Sequence, residues 1–159
     1  MLKKINIKEG DITYSQRIEL GELFSSDVSQ EKKFSETFFI LHKVYPDFNN
    51  RKEMTFFVEY FKEVTEGILY WIEKEKLLKY DPEPEEIRAG VYDLCRNIGN
   101  YGTIKALAKN YNCDPDVIFD WKYGKVFGIL YTDLEEYKYQ KRLHKIQMDS
   151  ARSKYGNSK

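Results

Sequence analysis

Apolar residues recur along this chain at intervals of three and four, a spacing that predicts helices. The longest such run lies in residues 51–79, where Phe57, Tyr60, Phe61, Val64, Ile68, Trp71, Ile72 and Leu78 form one stripe. It predicts the central core helix, with Trp71 as a core or rim anchor and with a kink or close helix contact at Gly67. Upstream, Ile18, Leu20, Leu23 and Phe24 cluster in a helix over 13–24 that Thr13 or Ser15 caps. Phe34, Phe38, Leu41 and Val44 predict another from about Ser29, ended by Pro46. Ile5 and Ile7 alternate with polar residues before Gly10, which suits a short strand or an extended arm.

Asp81-Pro82-Glu83-Pro84 interrupts this helical texture, because each proline pushes the residue before it out of the helical region. A helix over 84–97 follows, with Ile87, Val91, Leu94 and Cys95 facing inward, and NIGNYG (97–102) forms a glycine turn. Ile104, Leu107 and Ala108 share a face of the next short helix. Asp114 then stands as an N-cap with Pro115 at the first helical position, where its missing N–H costs nothing. Val117, Ile118 and Trp121 form the apolar face of this helix, Gly124 ends it in a left-handed conformation, and Trp121 anchors it against the central or final helix. A long helix with Phe127, Leu130, Leu134 and Tyr137 on one face comes last.

The pattern predicts an all-α fold: a single compact multi-helix domain over 1–148, with a short extended N-terminal arm and a long basic C-terminal helix. Its halves, about 1–80 and 84–148, divide at Asp81–Pro84. The small polar residues of 149–159 predict a disordered tail.

The stretch LAKNYNCDPDVIFDWKYG has the rhythm of a helix-turn-helix, so a DNA-binding regulator enters the comparison. A DNA-reading helix presents donors and cations at its start. Here that start carries Asp114, Asp116 and Asp120, which would repel a polyanion.

Composition adds a balanced charge, 26 basic against 26 acidic residues, so the whole-molecule field argues for neither nucleic acid nor membrane as a partner. The balance is uneven along the chain. Residues 59–86 hold nine acids against four lysines, whereas residues 138–159 hold seven bases against Asp149 alone. Cys95 and Cys113 lack metal or redox spacing and suggest a reduced cytosolic setting. No stretch approaches a signal peptide core or a membrane span. His42 and His144 lie far apart, and neither a dinucleotide fingerprint nor a phosphate loop is present. No catalytic, cofactor-binding or metal-binding residues are assigned, and the expectation is a non-enzymatic protein without cofactors.

The run from Tyr101 onward, with DPDVIFDWKYGKVFGILYTDLEEYKYQKR, resembles the C-terminal part of small tail assembly proteins of tailed bacteriophages and prophages, in particular those of gut Bacteroidales. The opening INIKEGDITYSQRIELGELF is similar to their start. In that group a two-helix unit with Asp-Pro before a hydrophobic helix precedes a long charged helix. The resemblance implies a tail assembly chaperone that keeps tape-measure or tail-tube subunits soluble in the cytoplasm of the bacterial host. A head-to-tail connector or other structural virion protein is the alternative, and a homo-oligomer is open to either. In the final helix the apolar stripe continues as Lys141, Lys145 and Met148. A basic, partly apolar extension of this kind captures acidic amphipathic segments, so Lys138, Lys141, Arg142, Leu143, Lys145 and Ile146 are the candidate partner-binding residues.

Overall fold

Thr13 opens the first helix with a reciprocal cap. Its hydroxyl accepts the Gln16 N–H while the Gln16 side chain accepts the Thr13 N–H, satisfying two donors that would otherwise be orphaned. Helix α1 (Tyr14–Ser25) follows. Ser29 caps α2 (Gln30–His42), which stops at Lys43 in the left-handed conformation, ahead of Pro46. Asn50 caps α3 (Arg51–Glu75), and a 3-10 turn over Lys76–Leu78 extends it. Then come α4 (Pro84–Arg88), α5 (Val91–Tyr111), α6 (Pro115–Phe119) and α7 (Tyr123–Gly156). The computed structural model describes residues 2–156, and no helix within them is long and apolar enough to cross a membrane. Apart from one isolated antiparallel bridge between Thr13 and Lys122, the described residues form no strand, so the fold is all-α. Of the strand and the arm that the spacing at Ile5 and Ile7 suits, the chain forms an irregular arm, ending in a 3-10 turn over Ile7–Glu9.

The core has two connected parts. In the first, Phe38 of α2 is fully enclosed, with Phe57 edge-on at 4.7 Å and Phe34 at 5.2 Å. Face-to-edge aromatic packing of this kind adds stabilisation beyond area burial. In the second, Trp71 of α3 meets Tyr123 at 4.9 Å and Phe127 at 5.2 Å, and its indole N–H donates to the Ile7 carbonyl at 2.6 Å. Ile12, Leu20, Ile104, Leu107, Ile118 and Val126 complete the enclosed set. The α3 stripe is buried at Phe57, Tyr60, Val64, Ile68 and Trp71, but Ile72, at the margin of that face, is exposed and Leu78, in the 3-10 extension, is half-buried. Val44 also lies exposed, beyond the end of α2.

The N-terminal segment binds the root of α7. Tyr123 N–H donates to the Ile12 carbonyl at 2.7 Å, Gly124 N–H to the Gly10 carbonyl at 3.1 Å, and Tyr14 N–H to the Trp121 carbonyl at 2.8 Å. The first amides of a helix have no partner within it; here the opposite end of the chain supplies the carbonyls. The approach is close enough that a Cβ on Gly10 would sit 2.5 Å from the Gly124 backbone, and Gly10 has φ of 72°. Gly124 therefore lies inside α7, at a backbone crossing, and does not terminate α6, which ends at Phe119. Gly67 is likewise a contact point, but with the arm instead of another helix: a Cβ there would meet Ile7 at 2.5 Å.

Two further expectations are corrected. The helix over 84–97 is broken at Gly90 (φ 86°), and α5 is kinked at Gly99 (φ 48°, ψ −139°). Between these breaks the segment projects from the body. Ile87, Leu94 and Cys95 are exposed and Val91 half-buried, because no other element covers this side. The expected disordered tail is helical as far as Gly156, since α7 continues past its packed stripe; residues 157–159 lie outside the described part.

Alanine at Gly10 forces a backbone clash in a left-handed conformation and is expected to destabilise by about 1–3 kcal/mol. Alanine at Gly128, where a Cβ would meet nothing within 4 Å, should stabilise by up to ~1 kcal/mol. Urea denaturation of the two variants reads the opposite signs.

Candidate functional site

The candidate segment 138–148 is placed by how α7 is rooted. Tyr123 and Val126 are buried, Phe127, Ile129 and Leu130 are half-buried, and Leu134 is the last such position before Tyr137. A helix of 34 residues spans about 50 Å, so its second half extends well past this anchorage. One lateral contact steadies it. The Tyr137 ring meets Tyr80 edge-on at 5.8 Å, Lys141 pairs with Glu83, and the Tyr80 hydroxyl donates to Glu86. The hydrogen bond from Tyr80 lowers the Glu86 carboxyl pKa, and the Glu83 partner raises that of Lys141.

The six candidate residues therefore divide. Lys138 is bound to Glu135 one turn earlier at 2.9 Å, and Lys141 is engaged by Glu83. These two serve the chain's own packing. Arg142, Lys145 and Ile146 are exposed, Ile146 at 63%, and Leu143 is half-buried. Tyr139, Arg142, Leu143 and Ile146 stand at i, i+3, i+4 and i+7, so they share one face. That face lies roughly opposite the one carrying Leu134, Tyr137 and Lys141. The outward stripe combines apolar side chains with a guanidinium and is suited to an amphipathic segment of another chain. Tyr139, missing from the candidate set, belongs to it; its i−3 spacing from Arg142 was the available signal.

The anchors are distributed differently. Trp71 is buried as expected. Asp114 caps α6 by accepting the Asp116 N–H at 2.9 Å, with Pro115 at the first position. Trp121 is only half-buried, past the end of α6, and packs on Tyr111 of α5 at 5.2 Å with the Lys125 ammonium 3.5 Å from its ring centroid. Of the two helices expected to receive it, Trp121 meets the final one, at the α7 root, and adds α5; the contact with α3 is made by Tyr123 and Phe127.

A polar cluster escaped sequence reasoning altogether. Arg17, 8% exposed, binds Glu75 through two hydrogen bonds of 2.9 and 2.7 Å. The Tyr123 hydroxyl donates to the same carboxylate, and the Tyr14 ring stacks on Tyr123 at 6.1 Å. Burial and the Glu75 charge raise the Tyr123 pKa far above the usual phenol range. A cleft of about 440 Å³ opens beside the cluster, bordered by Ile18, Leu78, Asn100, Thr103 and Leu130. Through these bonds the cluster ties α1, α3 and α7 together. The partners are 58 residues apart, and no local periodicity signals their pairing. Among the described residues no group of three or more His, Cys, Asp or Glu is placed to hold a metal.

Comparison with protein-family models, with curated proteins and with solved structures returned no match.

Of the two histidines, His42 is tied into the core. Its Nε2 lies 3.0 Å from the Tyr60 hydroxyl, which accepts the Ile5 N–H at 2.7 Å and is thus free to donate to the imidazole. Burial lowers the His42 pKa. The unfolded state then binds the proton more readily, so stability is complete above the ordinary histidine pKa and is lost as pH falls toward the lowered folded value. Thermal denaturation between about pH 7 and pH 5.5 should show this decline in the parent and a flatter profile in His42→Gln.

Proposed function

We propose that this chain is a non-enzymatic assembly protein that holds another protein through the outward stripe of α7, and that it serves as a tail assembly chaperone for a tape-measure or tail-tube protein of a tailed phage or prophage. The observation that carries the binding role is the stripe Tyr139, Arg142, Leu143 and Ile146. It lies on a helix anchored at its root by Trp71 and the N-terminal segment, and it extends beyond the fold's own packing. The phage assignment rests on the resemblance of residues 101–142 and of the opening segment.

The physical logic is that of a rigid presenter. A preformed helix has little conformational entropy left to lose on binding, so a client segment that is itself unfolded bears most of the ordering cost. Arg142 and Lys145 speed encounter with an acidic amphipathic helix, and Leu143, Ile146 and Tyr139 retain it. DNA is the poorer partner. Asp114 and Asp116 occupy the α6 start, and Lys122 beside it is paired with Asp11 at 2.5 Å.

Co-expression with the candidate tape-measure protein tests the proposal. Ile146→Asp combined with Arg142→Glu changes only exposed positions and should leave thermal stability within ~0.5 kcal/mol of the parent. It should return the client to the insoluble fraction. A folded double variant that still keeps the client soluble places the binding surface elsewhere.

A further inference from the structure

The cleft beside Arg17 and Glu75 holds a buried charged group with donors to spare. A guanidinium carries five N–H donors, and Glu75 takes one from Nε and one from Nη2. Nη1 has no protein partner among the described residues, although Arg17 is only 8% exposed. The group is held on three sides: by the Glu75 carboxylate, by the Tyr123 ring 5.6 Å away, and by Gly21, where a Cβ would lie 2.7 Å from Nη1. No fully enclosed side-chain nitrogen among the described residues lacks a partner. Nη1 therefore opens outward, onto the cleft that Arg17 and Gly21 both line. We infer that this cleft is a binding site for a small uncharged ligand that joins a carbonyl-type acceptor to an apolar body, with the acceptor seated on Nη1 of Arg17.

Charge sets the class of ligand. The lining carries two carboxylates, Glu22 and Glu75, against the one guanidinium, and burial keeps the Tyr14 and Tyr123 phenols protonated. An anion would add like charge to this set, and a cation would meet Arg17 at its inner end. A neutral acceptor satisfies Nη1 without adding charge. Hydrogen bonds to an ionised donor are the strong ones, and a buried donor is costly to leave without a partner. Ile18, Leu78 and Leu130 supply an apolar wall, and Asn100 and Thr103 of α5 add polar groups. A volume of about 440 Å³ falls within the range of small-molecule sites, roughly 300–1,000 Å³. Leu130 belongs to the packed face of α7, so this site is separate from the outward stripe and does not depend on it.

NMR titration of the isotopically labelled full chain with N-acetyl-leucinamide tests this, with circular dichroism confirming that each variant is folded. Saturable shifts are expected at the Arg17 Nε–H and at the backbone amides of Gly21 and Thr103, with a Kd on the order of 1–10 mM for a probe of this size. N-acetyl-leucine, the same body ending in a carboxylate, should bind at least about tenfold more weakly. Gly21→Ala sets a methyl group against Nη1 and should weaken the amide by at least about tenfold. Arg17→Lys keeps the charge but not the fork and should abolish the saturable shifts. Shifts that never saturate, or that saturate away from Arg17, Gly21 and Thr103, would overturn the inference. So would N-acetyl-leucine binding as tightly as the amide, or a folded Gly21→Ala protein with the parent's affinity.

Discussion

The indole N–H of Trp71 donates to the carbonyl of Ile7 across 64 residues, in a buried site, and the architecture depends on that bond. It holds the arm against α3, where Gly67 leaves room for the Ile7 side chain. The fixed arm in turn presents the carbonyls of Gly10 and Ile12 to the first amides of α7. An unpaired buried carbonyl costs about 1–3 kcal/mol, and a helix start without acceptors adds its own penalty. One side chain thus couples the middle of the chain to both ends. The same ring contacts Tyr123 and Phe127, so hydrogen bonding and packing fix the direction of α7 together.

With the α7 root fixed, the rest of that helix has no need of a core, and its two faces diverge in role. One face touches Tyr80 and Glu83 of the segment before α4; the other carries Tyr139, Arg142 and Ile146 outward. The helix 91–98 follows a similar plan on another side, since the second half of α5 is buried through Ile104, Leu107 and Ala108 while the first half is not. The frame thus bears two helices that run past its packing, α7 and the first half of α5.

Much of the frame was legible because its signals are local. The caps at Thr13 and Ser29, the α3 stripe and the Asp114-Pro115 start are set by contacts within a few residues. Periodicity also identified the stripe at Val91, Leu94 and Cys95, but an amphipathic pattern states only that a face is apolar, not which molecule covers it. Arg17 and Glu75 gave no signal, because their pairing follows from how α1 and α3 pack. Gly124 misled for a related reason. A glycine after a short helix suggests a left-handed terminator, whereas here the missing Cβ admits the backbone of Gly10. Trp71 and Trp121 look alike in sequence, and only the arrival of the N-terminal arm makes the first the anchor.

The dependence of α7 on the N-terminal arm is most directly tested by amide hydrogen exchange at Tyr123 and Gly124, read residue by residue by NMR. These amides belong to a helix's first turn, where protection is ordinarily weak. Bonded to Ile12 and Gly10, they should exchange as slowly as the buried positions of α3 in the parent and lose that protection in Trp71→Phe, which keeps an aromatic ring but not the N–H. Exchange at the rate of an open helix start in the parent would contradict the account, as would undiminished protection in Trp71→Phe.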